Sequence, residues 1–104
     1  MAQREIIKKI HTYIDTLSRE GIEIDKVFLF GSWARDDQTK ESDIDIMLVS
    51  KIFDQPDDQL IGLIWRLTRK VDSRIEPYTV GLNQFITDNI SPLLQIVKKE
   101  GIEI

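Results

Sequence analysis

The chain has no cysteine, one histidine, three prolines and five glycines in 104 residues. Without cysteine there is no disulfide and no thiolate metal site, which agrees with a reducing cytoplasm. A lone histidine cannot head a His-rich metal cluster. No apolar run is long enough to span a bilayer. The N-terminal MAQREIIKK is charged and lacks the apolar core of a signal peptide. Positive charge is also outweighed: the net charge is −4, which argues against the non-specific nucleic-acid binding that clustered Lys and Arg drive. Repeats and low-complexity tracts are absent. What remains has ordinary apolar and charged content and the length of one modest globular domain, residues 1–104.

Against that plain background one stretch stands out, FLFGSWARDDQTKESDIDIMLVS from Phe28 to Ser50. An apolar run ends in Gly31-Ser32. A polar connection follows, and then Asp43 and Asp45 alternate with Ile44 and Ile46. Successive strand side chains point to opposite faces, so the two aspartates share one face with Cα atoms roughly 6.5 Å apart. The isoleucines go into a core. Two carboxylates on one rigid strand repel unless a cation lies between them, and hard oxygen donors of this kind suit Mg²⁺. Gly31 and Ser32 add a backbone without a Cβ, a hydroxyl and the free N–H groups of a helix start, which together make a phosphate cradle. The bland alternative for Asp43 and Asp45 is an Asx turn followed by a surface strand residue. Their common face favours the metal reading.

Gly-Ser alone or Asp-x-Asp alone says little. Jointly, each bordering an apolar strand pattern, they resemble the motif of the nucleotidyltransferases of the DNA polymerase β superfamily. The segment GSWARDD…SDIDIMLV is most similar to the minimal nucleotidyltransferase (MNT) group. The resemblance extends over the preceding amphipathic helix, the later RIEPYTV and the closing KKEGIEI. It implies an α/β (α+β) polymerase β-like fold, a small mixed sheet flanked by helices. The family usually has glycine after Ala34-Arg35, where this chain has Asp36. Asp tolerates left-handed backbone better than most residues, so the loop is expected to form.

Two-metal nucleotidyl transfer needs a further acid, to complete the metal site or to take a proton. Asp54, Asp57 and Asp58 surround Pro56 at a helix start, where capping explains them. Asp72 closes that helix and is expected to face water. Glu76 lies in the β-rich run Arg74-Ile75-Glu76-Pro77-Tyr78-Thr79-Val80 and matches the acidic residue of the family's third strand. Its bland reading is a solvated residue paired with Arg74 or Lys70. With the resemblance, Asp43, Asp45 and Glu76 are the expected catalytic and metal-binding residues. Gly31, Ser32 and Arg35 are the expected nucleotide-binding ones.

The remaining pattern predicts a helix over 3–20, with Ile6, Ile10, Tyr13, Ile14 and Leu17 on one stripe, closed by Gly21. Strand regions follow at 22–30 and 42–49, with a short helix from Ser32 between them. A helix of roughly 57–72 buries Leu60, Ile64, Leu67 and Val71. A third strand covers 74–80 and a turn of helix 83–88. A last helix is opened by Ser91 as cap and Pro92 in the first position, and Gly101 leaves 102–104 as a tail. His11 reads as a partly buried boundary residue. Trp33 reads either as packing under the loop or as a wall of the nucleotide site, and Tyr78 as core or site wall. Trp65, off its helix's main stripe, covers a core edge or marks an interface. Arg35 is either solvated or reaches phosphate oxygens.

The resemblance implies a cytoplasmic, Mg²⁺-dependent enzyme that transfers AMP from ATP to a hydroxyl. MNT proteins pair with helical HEPN toxins, so the implied partner is a HEPN toxin, the acceptor its tyrosine, the assembly a hetero-oligomer and the chain's role that of antitoxin. A contact-only binding module with a vestigial motif is the alternative. Intact Gly31, Ser32, Asp43, Asp45 and Glu76 count against decay.

Overall fold

The computed structural model describes residues 2–104. Its element order is α1 (Ala2–Arg19), β1 (Lys26–Phe30), α2 (Ser32–Arg35), β2 (Ile44–Ser50), α3 (Asp58–Leu67), β3 (Ile75–Gly81), α4 (Leu82–Thr87), α5 (Pro92–Glu100) and β4 (Ile102–Glu103). Short 3-10 turns cover Lys51–Asp54 and Thr68–Lys70. The strands form one mixed sheet in the order β3-β2-β1-β4, antiparallel except for the parallel β2–β3 pair. Among the described residues no helix is long and apolar enough to cross a membrane.

Strand alternation divides the core in two. Val27, Leu29, Ile44, Ile46, Leu48 and Ile75 face α1 and α3, where Ile6, Ile10, Tyr13, Leu17, Ile64 and Leu67 meet them. The hydroxyl of Tyr13 donates to the Ile64 carbonyl at 2.6 Å, which ties α1 to α3 inside this layer. The opposite face carries Phe28, Phe30, Met47, Val49, Tyr78 and Val80, covered by Phe85 of α4 and Leu94 and Val97 of α5. Phe28 and Phe85 stack with centroids 5.3 Å apart. This second layer covers only part of its face. Register places Phe30, Asp45 and Glu76 abreast across β1, β2 and β3, so the row beside the Phe30 ring is acidic instead of apolar.

Several expectations are corrected. The first strand begins at Lys26 and not at 22, because Ile22 turns into the core. The 57–72 helix ends at Leu67 and tightens into a 3-10 turn. The 102–104 tail is in part a strand, pairing Phe28 with Glu103 and Leu29 with Ile102. Ser91 occupies the cap position of α5 without a side-chain cap bond; Asp88 Oδ1 accepts from Ile90 and Ser91 N–H instead. His11 is exposed, one position past the buried stripe.

Asp72 does not face water. Its carboxylate accepts from Lys9 Nζ at 2.7 Å and from Arg74 Nη2 at 2.8 Å, with the side chain only 10% exposed. The Arg74 and Lys9 hydrogen bonds hold its carboxyl well below the usual carboxylate range, against a smaller opposing effect of burial. This pair of bonds clamps α1 to the start of β3. Because the folded-state pKa is depressed, the stabilisation is present above the unfolded value of about 4 and is lost as pH falls through the folded one. Asp72→Asn is expected to cost about 2 kcal/mol at neutral pH, the scale of a hydrogen bond to a charged group. The cost should shrink in strong acid. Urea unfolding at neutral and acidic pH measures both, and an equal cost at the two would disprove the ionic clamp.

Candidate active site

The site is built where β1 ends. Gly31 adopts φ 74 and ψ −153, a region open in practice only to glycine. A Cβ there would also collide with the Asp45 carboxylate. The turn therefore has two independent reasons for glycine, and the second brings the backbone directly against an acid. Ser32 starts α2, whose first intrahelical bonds run from Ala34 and Arg35 N–H to the Gly31 carbonyl. By position the Ser32 and Trp33 N–H groups precede that ladder.

The helix is only four residues long and ends at Asp36, in the left-handed conformation at φ 61 and ψ 35. It is the one positive-φ non-glycine among the described residues. The position therefore asks for the family's glycine on backbone grounds. Asp36→Gly relieves roughly 1 kcal/mol of left-handed strain, offset in part by glycine's freedom in the unfolded chain. A net gain of ~0.5 kcal/mol is expected, read as a higher urea midpoint; a lower midpoint would show the aspartate to be preferred.

Trp33 is buried and packs in the α1–α3 layer, which settles its two readings in favour of packing. Its Nε1 donates to the Ser42 carbonyl at 3.3 Å, and the Arg74 guanidinium lies 5.9 Å from its ring centroid. Arg74 Nη1 also donates to the Lys40 carbonyl at 2.7 Å. Trp33 and Arg74 thus hold the loop that delivers Asp43. The packing of Trp33 was one of its two expected readings, whereas the role of Arg74 was not readable from the motif.

Asp43 lies just before β2, exposed, while Asp45 and Glu76 are half-buried register partners on adjacent strands. The Glu76 carboxyl is raised to about 7, first by a hydrogen bond to Asp43, then by burial and by the charges of Asp43 and Asp45. The Tyr78 hydroxyl opposes the shift by a hydrogen bond to Glu76. Asp45 is also raised, by burial and then by Asp43, with the Arg35 charge opposing. Asp43 and Asp45 therefore both act on Glu76. Arg74 is not a partner of Glu76, since it is committed to Asp72.

Arg35 pairs with Asp37 at 3.2 Å on the exposed side, and its charge still reaches Asp45. Tyr78 packs edge-on against Phe30 at 5.3 Å and reaches Glu76, so it belongs to both core and site wall. Asp57 caps α3 through Leu60 N–H and Asp54 accepts from Asn83 N–H, which leaves both outside the acidic group.

No three His, Cys, Asp or Glu side chains among the described residues form a ready cage for a metal ion. The donor chemistry nonetheless fits Mg²⁺, which binds through one or two carboxylates plus phosphate and water. Repulsion among the carboxylates adds to the larger effects that raise Asp45 and Glu76, and a divalent cation would relieve that part.

The mixed sheet thus carries an acidic row beside a glycine turn, and comparisons with known proteins identify the family. The Polymerase beta, Nucleotidyltransferase family matches residues 8–104. Two proteins of Methanocaldococcus jannaschii named as protein adenylyltransferases are similar. MJ0141 is 35% identical over 75 residues, 70% of this chain and 74% of that protein. MJ0604 is 42% identical over 64 residues, 61% of each. Among solved structures, a nucleotidyltransferase from Sulfolobus solfataricus superposes with a TM-score of 0.66 at 18% identity, covering 97% of this chain and 80% of that one. A chain of a toxin–antitoxin structure with AMP-PNP gives 0.59 at 23% identity, covering 99% and 72%. Likeness at that identity speaks for the fold. The chain belongs to the polymerase β nucleotidyltransferase family and fits its minimal members; it is a nucleotidyltransferase.

Proposed function

We propose that this chain, as a single cytoplasmic domain, transfers AMP from ATP to a tyrosine hydroxyl of a helical HEPN-type toxin and thereby acts as its antitoxin. The observation that carries the reading is the acidic row Asp43, Asp45 and Glu76 beside the Gly31 turn. The names of the two archaeal relatives, and the toxin–antitoxin and AMP-PNP context of a structural neighbour, support the choice of a protein acceptor and of ATP.

Each part of the row has work to do. The Ser32 hydroxyl and the backbone N–H groups at the start of α2 cradle phosphate oxygens, and the missing Cβ of Gly31 lets the Asp45 carboxylate lie against that turn. Asp43 and Asp45, with Glu76, would hold Mg²⁺, which supplies neutralisation of the charge developing on the phosphates. Glu76 takes the proton of the attacking hydroxyl, a task suited to a carboxylate that a bound cation keeps ionised and that lies at the edge of the row. The hydroxyl oxygen bonds to the α-phosphorus, the bond to pyrophosphate breaks, and the proton ends on Glu76. Arg35 lies where a guanidinium adds to phosphate binding.

The test is intact-mass measurement of the toxin after incubation with the chain, ATP and Mg²⁺. One or more added AMP groups are expected, with toxin activity lost only when ATP is present. Neutralisation in a nucleotide-free control, with no mass change, would establish the contact-only module instead.

A further inference from the structure

A groove of about 460 Å³ lies between the end of α3 and the start of β3, with Glu76 among its lining residues. Trp65, Arg66 and Arg69 from α3 and the turn after it line one wall, and Ser73, Ile75 and Glu76 line the other. Three features separate it from ordinary surface. Trp65 is 43% exposed, an unusual state for the largest apolar side chain. Arg66 and Arg69 are exposed and make no ion pair among the described residues, in a chain of net charge −4. And the groove reaches the acidic row from a defined side.

That side is set by strand order. Gly31 follows β1, Asp45 lies on β2 and Glu76 on β3, which is the sheet edge. The phosphate cradle and the groove thus lie on opposite flanks of the carboxylates. An in-line displacement at phosphorus needs the nucleophile opposite the leaving group. With phosphates at Gly31–Ser32, the attacking hydroxyl enters past Glu76, from the groove.

The edge itself does not recruit a strand. Ile44 N–H bonds to the Arg74 carbonyl, so Ile75 and Pro77 turn their backbone outward. The Ile75 N–H is already taken by the Asp72 carbonyl, and Pro77 has none. An occupant is therefore held by side chains, through two guanidinium groups and an indole.

We propose that this groove is the acceptor channel, and that it takes a polypeptide segment whose hydroxyl-bearing residue is flanked by acidic side chains. Arg66 and Arg69 receive the carboxylates, Trp65 packs on the segment's apolar atoms, and the hydroxyl meets Glu76. Two arginines in an acidic protein complement a short acidic peptide, whereas an RNA acceptor would call for a wider basic surface. The inference rests on the proposed AMP transfer, in which the hydroxyl oxygen replaces pyrophosphate on the α-phosphorus and its proton passes to Glu76.

The chain has two tryptophans and only Trp65 is exposed, so acrylamide quenching of tryptophan emission reads the groove directly. Three probes are used: a synthetic peptide with tyrosine flanked by glutamates, its lysine-flanked counterpart, and an oligoribonucleotide with a free 3′-hydroxyl. The glutamate peptide is expected to protect Trp65 and the lysine peptide not to. Arg66→Glu with Arg69→Glu should weaken the glutamate peptide about tenfold or more while leaving ATP binding and the circular dichroism spectrum unchanged. Protection by the oligoribonucleotide in place of the peptide, or indifference to the charge reversal, would overturn the proposal. Mass spectrometry separates the two readings. A peptide that binds the groove in the presence of bound ATP but gains no AMP supports the groove and counts against transfer. A peptide that gains AMP equally in the charge-reversed variant overturns the groove and leaves transfer standing.

Discussion

Asp43→Asn combined with Asp45→Asn should reduce AMP transfer by about 10³-fold or more while the fold survives. The two substitutions keep the shape of each side chain and remove its charge. In the metal-free protein those charges are a burden: Asp43 raises the pKa of Asp45 and Glu76, Asp45 adds to the rise of Glu76, and no cation pairs with Asp43 among the described residues. The apo variant should therefore melt at the same temperature as the parent or slightly higher. Mg²⁺ binding should be lost, because amide oxygens replace the anionic donors this ion prefers. Calorimetric Mg²⁺ titration in the presence of a nonhydrolysable ATP analogue, beside thermal melts, checks both halves. A double variant that transfers AMP at the parent rate would remove the aspartates from the mechanism.

The acidic pair was legible in the sequence because strand geometry is local. Alternation of Asp43, Ile44, Asp45 and Ile46 fixes which side chains share a face, and the observed burial of both isoleucines follows from it. The helices were legible for the same reason, as the Ile6–Ile10–Tyr13–Leu17 stripe shows. Features that depend on two distant segments were harder to read. Nothing in RIEPYTV says that β3 lies parallel to β2 with Glu76 opposite Asp45, and only the family resemblance singled out that glutamate. Residues 102–104 carried no strand signal beyond two isoleucines, yet β1 needed an edge partner.

Asp72 shows the same limit with the opposite outcome. Its place near a helix C-terminus argued for solvent, since the dipole there disfavours an acid. Arg74, two residues on, and Lys9, 63 residues earlier, supply the charges that override the dipole. Asp36 was legible for a different reason. Its residue type and its place after Ala34-Arg35 forecast a left-handed turn, and the backbone adopts one. Packing of Trp33 under the loop was legible as one of two readings, whereas the bonds of Trp33 and Arg74 to the Ser42 and Lys40 carbonyls were not, because carbonyls leave no trace in a sequence.

Glu76→Gln carries the second large expectation, a fall in AMP transfer of about 10²-fold or more, the scale of a lost general base. ATP affinity should change little, because proton removal matters in the transition state and not in the ground state. The same variant has a second readout that needs no substrate. In the metal-free chain Glu76 is raised to about 7 from an ordinary 4.5. Between those values the folded state keeps a proton that the unfolded state has released. By linkage, its contribution to stability is largest below the unfolded pKa and declines as pH rises through the folded one. Gln cannot titrate, so this decline should vanish, and the variant should gain on the parent as pH climbs from about 5 to about 8. Saturating Mg²⁺ and a nonhydrolysable ATP analogue should erase the parent's decline as well, since a bound cation favours the ionised carboxylate. Urea midpoints across that range, with and without Mg²⁺ and the analogue, together with single-turnover rates, test the assignment. If Glu76→Gln turns over at the parent rate, Glu76 is not the proton acceptor, and its closeness to Asp43 has no part in the chemistry.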